Sequence, residues 1–172
     1  MRAASSAAYF ATVLSTPSGD DPTEWTLDKV RGVAVGLVAV GVTDLESLGL
    51  KNAAGRERPN GQDDQSMPSS HTSRSAVFTT LAERNVQALA LSDTARSILD
   101  FGLDALTYGT AWARVESGYH FPSDTLVGMA IGNFNGAFFN DAFLNIVRPS
   151  RLSITLAPLP GGARFRVQVG FQ

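Results

Sequence analysis

Apolar residues recur at steps of three and four along most of the first 150 residues, and this spacing predicts α-helices. β-Branched residues are frequent from Val33 to Val42, so a buried strand in that segment is an alternative. The helix is favoured because the apolar stripe continues beyond both ends of the segment. The stripe, in residues 23–50, consists of Leu27, Val30, Ala34, Leu37, Gly41, Leu45 and Leu48.

Four further helices are predicted, one over residues 3–14 and three that begin at recognisable start signals. Serine is a preferred N-cap, so helices should begin at Ser69-Ser70 and at Ser92-Asp93. Proline favours the first helical position, so Pro122 predicts the last helix. Two of these helices should bury an apolar face. The predicted core residues are Val77, Phe78, Leu81, Ala88 and Leu89, followed by Ile98, Phe101, Ala105, Tyr108, Trp112 and Val115.

The last predicted helix has small residues at every fourth position, and the C-terminal segment has a different pattern. Gly128, Gly132 and Gly136 should let a neighbouring helix approach closely, within a soluble bundle. After residue 150, polar and apolar residues alternate on either side of a Pro-Gly-Gly turn, which predicts a β-hairpin. We therefore predict an all-α compact bundle over residues 1–150, with a short C-terminal hairpin over residues 151–172 of the same domain.

Composition narrows the function classes. The 172-residue chain is 44% hydrophobic and 17% charged, which suits one folded domain. Its formal net charge of -2 gives no sign of nucleic-acid binding, and its two histidines and lack of cysteine argue against a metal centre. The longest apolar run, Gly32 to Thr43, is shorter than the roughly 20 residues of a membrane span. We therefore expect no transmembrane segment.

Candidate chemistry centres on His120 and Asp124, which are four residues apart with Pro122 between them. An aspartate in the first turn of a helix could reach back to the imidazole and activate it as a nucleophile or base. Arg114 could bring a fixed positive charge to the same place. Taken alone, the His-Asp pair fits a helix cap with a surface histidine better than a catalytic pair.

Other polar residues upstream fit phosphate binding. Lys51 and Arg58 are seven residues apart, so they would point the same way if their segment were helical. Ser69, Ser70 and His71 open a predicted helix, whose N-terminus favours anions. Three cations, a helix N-terminus and two histidines together predict a site that handles phosphate.

The spacing of these residues resembles the type 2 phosphatidic acid phosphatase superfamily, which includes bacterial nonspecific acid phosphatases and vanadium haloperoxidases. The first family motif, K-x6-R-P, is matched in full by Lys51 to Pro59. The second, P-S-G-H, is matched by Pro68 to His71, with Ser70 in place of glycine. The third, S-R-x5-H-x3-D, is matched by residues 113–124, with Ala113 in place of serine. Neither replacement removes a catalytic side chain, so we expect activity.

The resemblance implies a fold of the acid phosphatase and haloperoxidase type and a role for each matched residue. His120 would attack phosphorus and form a phosphohistidine, and Asp124 would orient it. His71 would protonate the leaving oxygen and then activate water. The remaining residues would bind the phosphoryl group, with no metal required: Lys51, Arg58, Ser69, Ser70 and Arg114.

These inferences predict a metal-independent phosphohydrolase that acts on a phosphomonoester or pyrophosphate, including a lipid phosphate at a membrane surface. No cofactor is expected, and vanadate should inhibit as a phosphate mimic. One alternative is a haloperoxidase with vanadate as cofactor, against which the short chain argues. The other is a non-catalytic phosphate- or lipid-binding module. The family resemblance favours a bacterial cell-envelope location, on the periplasmic side.

Overall fold

The structure, a computed structural model, describes residues 2–144, 152–159 and 162–169. Its main part is a bundle of five α-helices. The helices are α1 Arg2–Ser15, α2 Pro22–Ala54, α3 Ser70–Ala88, α4 Asp93–Glu116 and α5 Pro122–Phe143. Two strands follow, β1 Leu152–Leu159 and β2 Gly162–Val169, which pair antiparallel with Leu152 opposite Val169.

The predicted helix starts are confirmed. Ser69 and Ser92 are the N-caps of α3 and α4, and each side chain accepts a backbone N–H of the first turn. Pro122 is the first residue of α5. Residues 33–42, for which a strand was the alternative, are helical and lie within the 33 residues of α2. Gly55 caps the C-terminal end of this helix. Its φ of 52° is a left-handed conformation that glycine adopts without strain.

Helix α3 lies at the centre of the bundle and packs against each of the other four helices. Its contact with α5 is close because α5 presents glycines to it. A Cβ added at Gly132 would lie 2.3 Å from the Ser73 carbonyl oxygen, and one at Gly128 would lie 2.7 Å from the Ser69 carbonyl oxygen. The predicted close approach at the glycine stripe is therefore confirmed.

The predicted core of α4 is wrong, because its apolar stripe faces outward. Ile98, Phe101 and Trp112 are 66%, 76% and 72% exposed. The apolar stripe of α2 also faces outward, with Leu37 and Leu45 on the surface. The residues that α2 buries are small or polar: Lys29, Gly32, Gly36, Ala39, Thr43, Ser47 and Lys51.

The interior between the helices is correspondingly small and polar, although α3 buries Val77 and Leu81 as predicted. Hydroxyl groups pair across helices: the Ser5 and Ser75 oxygens are 2.7 Å apart, and those of Thr79 and Thr107 are 2.8 Å apart. In a membrane, helices typically associate through small residues and interhelical polar contacts, while large apolar side chains face the lipid.

The predicted fold class is corrected in one respect. The fold itself is all-α, as predicted, but the two paired strands come after the bundle and do not belong to that fold. A two-stranded ribbon is marginal by itself and has no core of its own. The hairpin is therefore no basis for the fold class.

Candidate active site

The predicted site residues meet at one end of the bundle. Lys51 lies in the last turn of α2, and Arg114 lies in the last turn of α4. Ser70 and His71 are the first two residues of α3. His120 lies between α4 and α5, and Asp124 is in the first turn of α5. Helix ends and the connections between them thus place residues that are 70 positions apart in one site.

His120 is held in one orientation. Its side chain is only 2% exposed, and its Nδ1 lies 2.6 Å from the carbonyl oxygen of Ser66. Because a carbonyl oxygen only accepts, Nδ1 carries the proton and donates it. The lone pair is consequently on Nε2, which lies 3.3 Å from the guanidinium Nη1 of Arg58. Nε2 is thus turned towards a cation, a group that suits phosphoryl oxygens.

The expected direct hydrogen bond, from the imidazole Nδ1–H to the Asp124 carboxylate, is absent. The Asp124 Oδ2 lies 3.8 Å from the His120 Nδ1, beyond hydrogen-bonding distance. This oxygen instead accepts the Ser66 hydroxyl at 2.5 Å and the Phe121 backbone N–H at 2.8 Å. The other carboxylate oxygen accepts the Arg56 Nη1 at 2.8 Å. Asp124 therefore contacts Ser66, and Ser66 contacts His120.

The cations reach the site by a different route from the one predicted. Arg58 does not share a helical face with Lys51, because α2 ends at Ala54 and the chain turns at Gly55. The turn brings the Arg58 Nη1 to 3.1 Å from the Tyr119 carbonyl oxygen, while Asp63 accepts the Arg58 Nε at 2.5 Å.

The other two cations are similarly fixed. Lys51 is buried, with its Nζ donating to the Gln65 carbonyl oxygen at 2.5 Å. The Arg114 guanidinium stacks over the Tyr119 ring at 4.2 Å. Each predicted cation is therefore held by backbone or aromatic contacts at this end of the bundle.

Burial and the three cations lower the pKa of His120 to about 4. Loss of water around the imidazole is the largest cause, because it disfavours the charged form. The positive charges of Lys51, Arg58 and Arg114 act in the same direction, and the hydrogen bond to the Ser66 carbonyl opposes them. At neutral pH the imidazole is thus uncharged and can act as a nucleophile.

The start of α3 supplies a helix N-terminus at the site. The Ser69 hydroxyl is buried and caps this helix, accepting the Thr72 N–H at 3.4 Å and the Thr72 hydroxyl at 3.0 Å. The Ser69 N–H donates to the Asp124 carbonyl oxygen at 2.9 Å. In both bonds the Ser69 oxygen accepts, so its own O–H remains able to donate to a phosphate oxygen. Ser70 and His71, both half-buried, begin a helix end that favours anions.

Sequence reasoning did not single out Arg56, Asp63 or Ser66. Arg56 falls within the unspecified six residues of the first motif, and the other two belong to a polar run, residues 60–66, between the first and second motifs. In the structure, this run is tied down, since the Ser66 N–H donates to the Arg56 carbonyl oxygen at 2.9 Å. No sequence pattern marks these residues, because their partners are distant in the chain.

Within the residues that the structure describes, no group of three or more His, Asp or Glu side chains is arranged to hold a metal ion.

Residues 29–147 match the family profile of the PAP2 superfamily, so the match spans most of the chain, including all the site residues. The chain belongs to the PAP2 superfamily. The predicted family is thereby confirmed, as is the prediction that the protein is an enzyme, a phosphatase. Among curated proteins, none matches the chain.

A solved structure shares the fold of this PAP2 protein. It is a transmembrane PAP2-type phosphatidylglycerolphosphate phosphatase from Bacillus subtilis, with a TM-score of 0.56 and 19% sequence identity. The similarity covers 80% of this chain and 83% of that chain. At this identity it establishes the fold alone.

The prediction of no transmembrane span is wrong. Helix α2 is long and apolar enough to cross a membrane, and the fold is that of a transmembrane phosphatase. The predicted soluble bundle was mistaken for a physical reason: the apolar run was measured only from Gly32 to Thr43. The helix extends well beyond both ends of that run, and several of its polar residues, among them Thr43 and Ser47, are buried against the bundle. A helix of this length with an apolar outward face is a feature of membrane or envelope proteins.

Proposed function

We propose that this protein is a metal-independent lipid phosphate phosphatase that works through a phosphohistidine at His120. The observation that carries the proposal is the geometry around that residue. The Nδ1 proton is engaged by a carbonyl, so the lone pair is on Nε2, where it accepts an N–H of Arg58 at 3.3 Å. A bound phosphoryl group would take over this long hydrogen bond from Arg58 and leave the lone pair free to attack. A buried, uncharged imidazole next to fixed cations is suited to attack a bound phosphoryl group.

The reaction would take place in two half-reactions. In the first, the Nε2 lone pair of His120 attacks phosphorus, and an N–P bond forms while the bond to the leaving oxygen breaks. His71 gives its proton to that oxygen. In the second, water attacks phosphorus and passes a proton to His71, the N–P bond breaks, and inorganic phosphate leaves. Lys51, Arg58 and Arg114 would stabilise the phosphoryl oxygens in both steps, a task that a metal ion performs in other phosphatases.

A lipid substrate is supported by the surface next to the site. The outward faces of α2 and α4 carry large apolar side chains, and both helices end at the site. A lipid in the surrounding bilayer would place its phosphate at the membrane surface, where these helix ends lie. We further propose that this end faces the periplasm of a bacterial envelope.

The experiment compares phosphate release from phosphatidic acid in mixed micelles with release from p-nitrophenyl phosphate, in the presence of a chelator. We expect release from both, with kcat/KM higher for the lipid by about tenfold or more, because remote binding of the acyl chains contributes to catalysis. Vanadate should inhibit both reactions. Loss of activity in chelator would contradict metal independence, and faster turnover of the soluble ester would contradict the lipid preference.

A further inference from the structure

Arg56 lies outside the residues to which the proposed chemistry assigns a role, yet it forms an ion pair with Asp124. Its Nη1 is 2.8 Å from the Asp124 Oδ1 and 2.8 Å from the Ser123 hydroxyl. Its guanidinium also stacks over the Phe121 ring at 4.2 Å. Asp124 is fully buried, whereas the Arg56 side chain is 36% exposed. A buried carboxylate is thus neutralised by a partner that reaches it from the surface.

Three short contacts connect this ion pair to the nucleophile. The Asp124 carboxylate accepts the Ser66 hydroxyl at 2.5 Å, and the Ser66 carbonyl accepts the His120 Nδ1–H at 2.6 Å. The Arg56 backbone also contacts Ser66, because its carbonyl oxygen accepts the Ser66 N–H at 2.9 Å, a bond that does not depend on the side chain. The Arg56 side chain therefore reaches Ser66, the group that fixes the tautomer of His120, through Asp124.

We propose that Arg56 is a positioning residue for the nucleophile: it fixes Asp124 and Ser66 so that the Ser66 carbonyl orients His120, and it neutralises the Asp124 charge. This inference rests on the proposed function of His120 as nucleophile. The contacts of the Arg56 side chain are with Ser123, Asp124 and Phe121, so it acts on His120 through its neighbours.

The charge effect has a definite sign. Without Arg56, the Asp124 carboxylate would remain unpaired at 3.8 Å from the His120 Nδ1 and would stabilise the protonated imidazole. The pKa of His120 would therefore rise, and the acid limb of the pH profile would move to higher pH. The charged groups that act on His120 or lie beside it are Lys51 of α2, Arg58 of the loop, Arg114 of α4 and Asp124 of α5. The other histidine, His71, is in the first turn of α3 at the same end of the bundle.

The test compares Arg56→Ala and Arg56→Lys with a matched control, Arg84→Ala. Arg84 also pairs with an aspartate of α5, Asp141, at 3.1 Å, and its side chain is 34% exposed. It lies 14 residues along α3 from Ser70, which is about 21 Å from the site. The two arginines therefore form similar ion pairs with α5, but only Arg56 lies at the end of the bundle that holds the site.

We expect Arg56→Ala to lower kcat by about 10- to 100-fold, the usual effect of losing a residue that orients a reactive group, with KM changed by less than about threefold. Arg56→Lys keeps the charge and should recover part of the loss, and Arg84→Ala should retain nearly full activity. A wild-type kcat in Arg56→Ala, or an equal loss in Arg84→Ala, would overturn the proposal.

A second measurement does not depend on turnover. The chain has only two histidines, so the ring signals of His120 and His71 can be assigned by single substitution and titrated by NMR. The His120 pKa should be higher in Arg56→Ala and in between for Arg56→Lys, and an unchanged value would overturn the proposal. If the wild type released no phosphate but the titration shifted as expected, the proposed function would fail while the positioning role of Arg56 would stand.

Discussion

The two faces of α2 differ in what they require of the sequence. The outward face carries large apolar residues such as Leu37 and Leu45, which remain exposed on the surface of the bundle. The inward face carries Gly36, Thr43 and Lys51, which are all buried. The outward face needs only to be apolar, because lipid can accommodate many shapes. The inward face needs particular residues, because backbones and polar groups must fit one another.

This contrast predicts that a charge on the outward face is the most damaging single change outside the catalytic residues. Leu37→Asp, near the middle of α2, should disfavour membrane insertion by about 2.5–3.5 kcal/mol. Thr26→Asp places the same side chain near the start of the same helix and should be tolerated. The measurement is the fraction of each variant recovered folded in membranes.

If α2 were surrounded by water, the result would be different. Replacement of an exposed side chain would then change the free energy of unfolding by no more than about 0.5 kcal/mol. Equal recovery of the Leu37→Asp and Thr26→Asp variants would therefore contradict the membrane-facing assignment.

A smaller effect is expected when the inward packing is disturbed by one methyl group. Gly132→Ala adds a Cβ that would lie 2.3 Å from the Ser73 carbonyl oxygen, so α3 and α5 would have to separate. We expect the free energy of unfolding to fall by about 1–3 kcal/mol. Thermal unfolding in detergent would measure the difference.

Gly41→Ala is the matched control for this change. Gly41 is exposed on α2, and a Cβ there would meet no atom within 4 Å. Alanine should be neutral or stabilising by up to about 1 kcal/mol, since it favours the helix. Comparable destabilisation of the Gly41→Ala and Gly132→Ala variants would mean that close helix packing is not what α5 glycines provide.

The sequence allowed the helix starts, the close packing at Gly132 and the family to be predicted, because caps, small-residue spacing and motifs are local signals. The outward direction of the α4 stripe could not be predicted, since periodicity shows that two faces differ but not whether water or lipid surrounds the helix. Phe101 was therefore assigned to the core, although its side chain is exposed on the outer face of α4.

The site shows the same division between local and distant information. Residues that the motifs specify, such as His120 and Arg58, are brought together at one end of the bundle. The partner of the imidazole could not be predicted, because the spacing of His120 and Asp124 suggested a direct contact. The carbonyl of Ser66 takes that position instead, 54 residues away in the chain. The roles of these residues in catalysis remain predictions.

The most direct test of the account is to trap the phosphoryl group on the protein. Labelled p-nitrophenyl phosphate, whose leaving group needs no proton, would be mixed with the wild type, His71→Ala and His120→Ala, followed by denaturation in alkali. Because His71 is needed mainly for the second half-reaction with this substrate, we predict that His71→Ala accumulates label on His120 and that His120→Ala takes up none. In addition, turnover by His120→Ala should fall by about 10⁴-fold or more. Label that persists in His120→Ala, or turnover near the wild-type rate, would contradict the phosphohistidine mechanism.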